Sequence, residues 1–180
     1  MIAIGLDLST SCFGWSVWDD DKLVDYGKLK PLIDKLEWRD RVINLSSQLR
    51  EIFKKNRPEC VCIEDVPLFD KRGKEILVQL GFVQGSAFTL CDDFNIKPEF
   101  IPVGTWRKDI GISTGEKDRD SKKIASLNKA NELFGLNLNI AYTKSGKYSS
   151  ERSDDDISDA ILVYASTRDK YKSHKHFGRG

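Results

Sequence analysis

Three stretches of this chain set an acid at the edge of an apolar element: Ile2-Ala-Ile-Gly-Leu-Asp-Leu-Ser9, Val61-Cys-Ile-Glu64 and Asp156-Ile-Ser-Asp-Ala-Ile-Leu162. A carboxylate among apolar side chains is costly to desolvate unless a cation, a proton or hydrogen bonds compensate it. A strand-end acid capped by Ser9 or Thr10 would account for Asp7 alone, but not for the recurrence. Asp154, Asp155 and Asp156 suit the first turn of a helix, where the dipole favours negative charge. Asp159 lies past that turn and shares a helix face with Asp156 at i, i+3. Brought together, Asp7, Glu64, Asp156 and Asp159 would repel one another unless neutralised. Magnesium or manganese, which prefer oxygen ligands, would resolve the conflict. Two such ions about 4 Å apart can activate a water and stabilise the leaving oxygen of a phosphodiester. The only histidines, His174 and His176, sit in the tail, and the chain has no P-loop, dinucleotide fingerprint or Gly-x-Ser-x-Gly elbow.

The elements that would position these acids follow from the apolar pattern. Residues 2–9 read as a central strand covered on both faces. Phe13 to Trp18 and Leu23 to Leu29 continue it as an antiparallel meander, turning at Asp19-Asp-Asp-Lys22. Asp34 is the expected cap of a helix running to about Lys55, stopped by Arg57-Pro58. Cys60 to Glu64 then returns as a strand, and a right-handed crossover makes it parallel to the first. Neighbouring strands of that kind bring Asp7 and Glu64 together at their carboxyl ends, where open α/β sheets place their sites.

A helix from about Lys74 to Asp93 carries Gly81 and Gly85 at i, i+4, a flat stripe suited to the sheet or to a second copy of the helix. A fifth strand at Glu99 to Pro102 leads into a short helix, and another helix opens at Asp118 and runs through Phe134. Residues 136–152 are turn-rich and are expected to be mobile. The last helix opens at Ser153 to Asp159, with Ile157, Ala160, Ile161 and Tyr164 inward.

At 180 residues, 39% hydrophobic and 32% charged, the chain has the make-up of one soluble globular domain. No apolar run approaches the roughly 20 residues a bilayer span requires, and no secretion signal is expected. Cys12, Cys60, Cys62 and Cys91 lack framework spacing and read as reduced thiols of a cytoplasmic protein. Residues 1–100 are net −3 and residues 101–180 net +4. Residues 104–149 hold nine Lys/Arg against five Asp/Glu, including Arg107, Lys108, Lys122 and Lys123. These cations suit phosphate contact and equally a solvated helix face. The loop 66–73 joins an apolar tip at Phe69 to a basic flank at Lys71 and Arg72.

Ile4-Gly-Leu-Asp-Leu-Ser9, Gly14-Trp-Ser-Val17, Ile63-Glu64 and Asp156-Ile-Ser-Asp-Ala-Ile161, in this order and spacing, resemble the RuvC Holliday junction resolvases. The chain is most similar to their small bacteriophage relatives, over residues 1–168; residues 136–152 and the basic tail 169–180 are departures with no matching counterpart. The resemblance implies a ribonuclease H-like α/β fold with a five-stranded mixed sheet, in a homodimer whose two active sites face a four-way DNA junction. Carried over, the metal ligands are Asp7, Glu64, Asp156 and Asp159, holding two Mg2+ ions for which Mn2+ can substitute. Asp155 lies four before Asp159 and competes for the same role; the family's i, i+3 spacing favours Asp156. The Gly81/Gly85 helix falls at the implied dimer interface. Phe69 matches an aromatic near the crossover point, with Lys71 and Arg72 beside it, and Lys122 and Lys123 fall near the scissile phosphate. Phage relatives act in the bacterial host cytoplasm and often accept other branched DNA.

Three other readings compete. Gly5-Leu-Asp-Leu-Ser-Thr10 also resembles the phosphate hairpin of actin-like sugar kinases, which need a second lobe this chain has no room for. A ribonuclease H-like nuclease of RNA–DNA hybrids or RNA precursors would need the same acids but no dimer. A catalytically dead dimer binding branched DNA would have no use for four intact acids.

Overall fold

The computed structural model describes residues 1–33, 35–65, 73–112 and 118–168. An antiparallel meander, β1 (Ile2–Leu8), β2 (Phe13–Asp19) and β3 (Lys22–Leu29), opens the chain. Helix α1 (Trp38–Asn56) crosses to β4 (Cys60–Asp65), and α2 (Lys74–Asp93) crosses to β5 (Glu99–Pro102). Helices α3 (Val103–Asp109), α4 (Arg119–Phe134) and α5 (Asp155–Ala165) follow. The sheet order is β3-β2-β1-β4-β5, with β4 parallel to β1 and β5 parallel to β4. This is the mixed five-stranded sheet of a ribonuclease H-like fold, with β1 at its centre.

Helix α1 corrects one expectation. It begins at Trp38, and the Glu37 side chain caps it by accepting the Arg39 N–H at 3.2 Å. A carboxylate there satisfies one of the orphan donors of the first turn. Asp34, the expected cap, lies outside the described residues. The stop is where the sequence puts it: Arg57 takes a left-handed φ of 48° and its N–H reaches the Phe53 carbonyl at 2.8 Å.

Strand alternation divides the core into two layers. Ile4, Leu6, Val17, Val61 and Ile63 pack with Leu45, Leu49, Phe53 and Val83 beneath α1 and α2. Ala3, Trp18, Cys62 and Ile101 pack on the opposite face with Trp106, Leu127, Ile161 and Tyr164 of α3, α4 and α5. Trp18 meets Phe134 edge-on at 5.2 Å between ring centroids, a favoured aromatic geometry. All four cysteines are buried, and none of them forms a disulfide among the described residues.

Two further expectations meet the structure differently. A Cβ added at Gly81 or Gly85 would touch nothing within 4 Å among the described residues, so the glycine stripe does not face the sheet. Residues 136–152, turn-rich as expected, carry a Tyr142–Tyr148 bridge. They are tied down where the Asn139 N–H donates to Asp154 at 2.9 Å and its amide to the Arg152 carbonyl at 2.8 Å.

Candidate active site

Period-two alternation puts Ala3, Gly5 and Asp7 of β1, and Cys60, Cys62 and Glu64 of β4, on the face covered by α5. The parallel register pairs Leu6 with Ile63, which sets Asp7 and Glu64 side by side at the carboxyl ends of adjacent strands. Helix α5 then brings its amino terminus to the same edge, and glycines allow it to come close. A Cβ on Gly14, the register partner of Asp7, would overlap the Asp156 carbonyl, and one on Gly5 would overlap the Ala160 carbonyl. The Ser16 hydroxyl donates to that Ala160 carbonyl at 2.8 Å and accepts the Trp18 indole N–H at 3.0 Å. The helix is therefore fixed on the meander by small residues and one buried hydroxyl.

The result is a cleft of about 510 Å³ lined by Asp7, Glu64, Asp156 and Asp159, with Arg107, Arg119, Lys122 and Lys123 in its wall. Burial pushes Asp7 well above the usual carboxylate range, and Glu64, Asp156 and Asp159 add to the shift against Lys123. Burial and then Asp159 push Glu64 up to about 8, against Arg107, the Trp106 hydrogen bond and Lys123. Burial likewise raises Asp159, opposed by Lys123, Arg107 and Ser126. The acids repel one another across a partly buried cleft, which is the conflict a divalent cation would relieve.

Protein donors hold two of these carboxylates. The Trp106 indole N–H donates to Glu64 Oε2 at 3.1 Å, and Arg107 meets Asp159 Oδ2 at 3.5 Å. Asp159 Oδ1 is buried with no hydrogen-bond partner among the described residues. In this arrangement no three His, Cys, Asp or Glu side chains among the described residues converge as a ready ion cage. The donor set is nevertheless all oxygen, which matches a hard cation; of the two aspartate oxygens buried without a partner, on Asp155 and Asp159, the one on Asp159 belongs to a residue that lines the cleft, where such an ion would be its partner.

The neighbouring acids separate cleanly. Asp154 faces away, bound to Lys28 at 2.8 Å. Asp155 is fully buried against Lys123 and does not line the cleft that holds the other four. Cys12 is next to Asp156, and burial followed by that negative charge raises its thiol far above the ordinary range, which removes it as a nucleophile. Lys108 is exposed on α3 and outside the cleft, whereas Arg107 is 14% exposed and already paired. Phe69, Lys71 and Arg72 lie outside the described residues. Sequence reasoning did not find Trp106 as the partner of Glu64, Arg119 in the cleft wall, or Gly14 as the seat of α5.

Solved structures share this architecture. Thermus thermophilus RuvC in complex with a Holliday junction substrate matches with a TM-score of 0.66 at 16% identity, over 99% of this chain and 96% of that one. The chain has the fold of RuvC. A second T. thermophilus RuvC structure gives a TM-score of 0.68 at 15% identity, over 97% of each chain. No protein-family model matches the sequence, and no curated protein does. The likeness to RuvC spans the meander, both crossovers and α5, the elements that carry the four acids. Among the described residues no helix is long and apolar enough to cross a membrane.

Proposed function

We propose that this chain is a divalent-metal-dependent endonuclease that resolves four-way DNA junctions by paired nicks, acting as a homodimer. One observation carries the reading: Asp7, Glu64, Asp156 and Asp159 line a single cleft of a RuvC fold, walled by cations. These four acids would hold two Mg2+ ions, with Mn2+ as a substitute, and bound ions of this kind supply an activated water and charge stabilisation at the leaving oxygen.

The chain's own residues do the rest. Trp106 and Arg107 orient Glu64 and Asp159. Arg119 and Lys122, in the cleft wall, would hold the phosphates on either side of the cut. Lys108, exposed outside the cleft, would meet the backbone further along. Phe69 would stack on or between bases at the crossover, with Lys71 and Arg72 on the adjoining phosphates.

Paired nicks need two sites, and the α1–α2 face suits a second copy of the chain. Val78 is 64% exposed and Phe88 51%, with Ile43 and Phe82 also exposed beside the open Gly81/Gly85 stripe. Small residues at such a stripe let two helices approach closely. Acting on DNA would put the protein in the cytoplasm of a bacterial cell, its own or a phage's host.

The test is cleavage with Mg2+ of a synthetic four-way junction, run beside linear duplex, a replication fork and an RNA–DNA hybrid. Symmetric paired nicks in the junction, with duplex and hybrid spared, support the proposal. Cutting of the fork as well would broaden the substrate to branched DNA. Cutting of the hybrid alone would overturn the proposal in favour of a ribonuclease.

A further inference from the structure

The site carries a fifth acid that faces away from the other four. Successive helical side chains point about 100° apart, so neighbours in the first turn of α5 serve different surroundings. Asp156 turns to the cleft. Asp155, fully buried, accepts from the Lys123 ammonium through Oδ2 and from the Ser150 hydroxyl at 2.7 Å through the same oxygen, while its Oδ1 has no hydrogen-bond partner among the described residues and lies outside the cleft.

Lys123 comes from α4 and occupies a junction. It lines the cleft of the four acids and also an adjoining cleft of about 570 Å³, lined by Ser9, Thr10, Ser11 and Arg119 among others. Asp156 borders both. An ammonium on a flexible four-carbon stem takes whatever oxygen it can reach. At this position the alternatives are the carboxylates of the cleft, and each one it neutralised would be a weakened ligand for a divalent ion. A tether that occupies the ammonium without joining the ligand set removes that competition.

We propose that Asp155 is a positioning residue: it moors Lys123 outside the set of metal ligands, leaving Asp7, Glu64, Asp156 and Asp159 to the cation. The inference rests on the metal-dependent reading above. It assigns Asp155 no contact with the ion, although Asp155 is adjacent to a ligand and carries the same functional group.

Calorimetric titration of the full chain with MgCl2 tests it without reference to cleavage. D155N keeps the size of the side chain and an acceptor for Ser150, but removes the negative charge that holds the Lys123 ammonium. It should weaken Mg2+ binding about tenfold, the range seen when an outer partner of a ligand set is lost. D155N/K123M removes the competitor as well and should restore binding to near the wild-type level. Circular dichroism checks that each variant is folded, and D155N/K123Q replaces the methionine variant if that one is not.

A deficit that persists in the double variant would mean that Asp155 binds the ion or merely supports the helix, and would overturn the inference. Unchanged binding in D155N would overturn it too. Wild-type chain that takes up neither Mg2+ nor Mn2+ would overturn the metal reading itself, and the inference with it. Cleavage assays on the same wild-type preparation keep the two failures apart.

Discussion

Replacing Glu64 by glutamine should make the metal-free protein more stable at pH 8 while stopping cleavage. Glu64 titrates at about 8 against an ordinary value of 4.5, because burial and the Asp159 charge disfavour its ionised form. Below pH 4.5 the group is protonated in both the folded and the unfolded chain. As the pH rises toward 8 the unfolded chain releases its proton and the folded one resists, so stability falls across that window and then levels off. At ~1.4 kcal/mol per pH unit the whole interval would be worth about 5 kcal/mol. Glu64 is only half-buried, and solvent screening reduces this to ~3 kcal/mol. For a chain of this size that is about 6–12 °C in melting temperature.

Glutamine has no such proton to lose and still offers an oxygen to the Trp106 indole. Thermal melts in EDTA at pH 8 should therefore show E64Q above the wild type, with the gap closing by pH 5. Mg2+ should raise the wild type and leave E64Q nearly unmoved. An E64Q protein that melts at or below the wild type at pH 8, or a gap indifferent to pH, would refute the reasoning.

Asp7→Asn should abolish cleavage and leave junction binding intact in a mobility-shift assay, because only the metal-dependent chemistry needs the charge; normal cutting would remove Asp7 from the ligand set. Gly14→Ala should cost ~1–3 kcal/mol in denaturant melts and slow cutting more than it weakens binding, since the added methyl drives against the Asp156 carbonyl. Val78→Asp combined with Phe82→Glu should give a folded monomer in sedimentation, with paired nicking reduced to single nicks. A dimer that survives those charges would place the interface elsewhere.

Much of the fold was legible because apolar periodicity speaks directly to it. The continuous run in β1, the alternation in β2 and the crossover through α1 specify neighbours and directions, and from these the pairing of Asp7 with Glu64 follows. The i, i+3 spacing of Asp156 and Asp159 was equally readable. What escaped were terms that depend on chains meeting from far apart. Lys123 and Asp155 are paired across the α4–α5 connection, and no local pattern marks a lysine as bound rather than solvated. Gly14 looked like one more residue of a strand until the register set it under α5. The cap of α1 went to Glu37 rather than Asp34, since several acids in a polar stretch can each satisfy a first turn and packing chooses among them. The glycine stripe of α2 left sheet and partner equally open, and only its empty surroundings excluded the sheet.

Helix α5 is buried at every residue from Ile157 to Tyr164. A helix enclosed in this way cannot drift by a single position. One residue of slippage would rotate it by about 100° and carry Ile157, Ile161 and Tyr164 away from the partners they pack against while it exchanged one aspartate for another. Insertions and deletions ahead of the helix should thus act as all-or-nothing lesions and offer no intermediate activities for selection to work on. Variation in substrate choice is left to the walls around the helix, and an engineer who wants a different specificity should redesign α3, α4 and the loop after β4 while leaving the aspartates where they are.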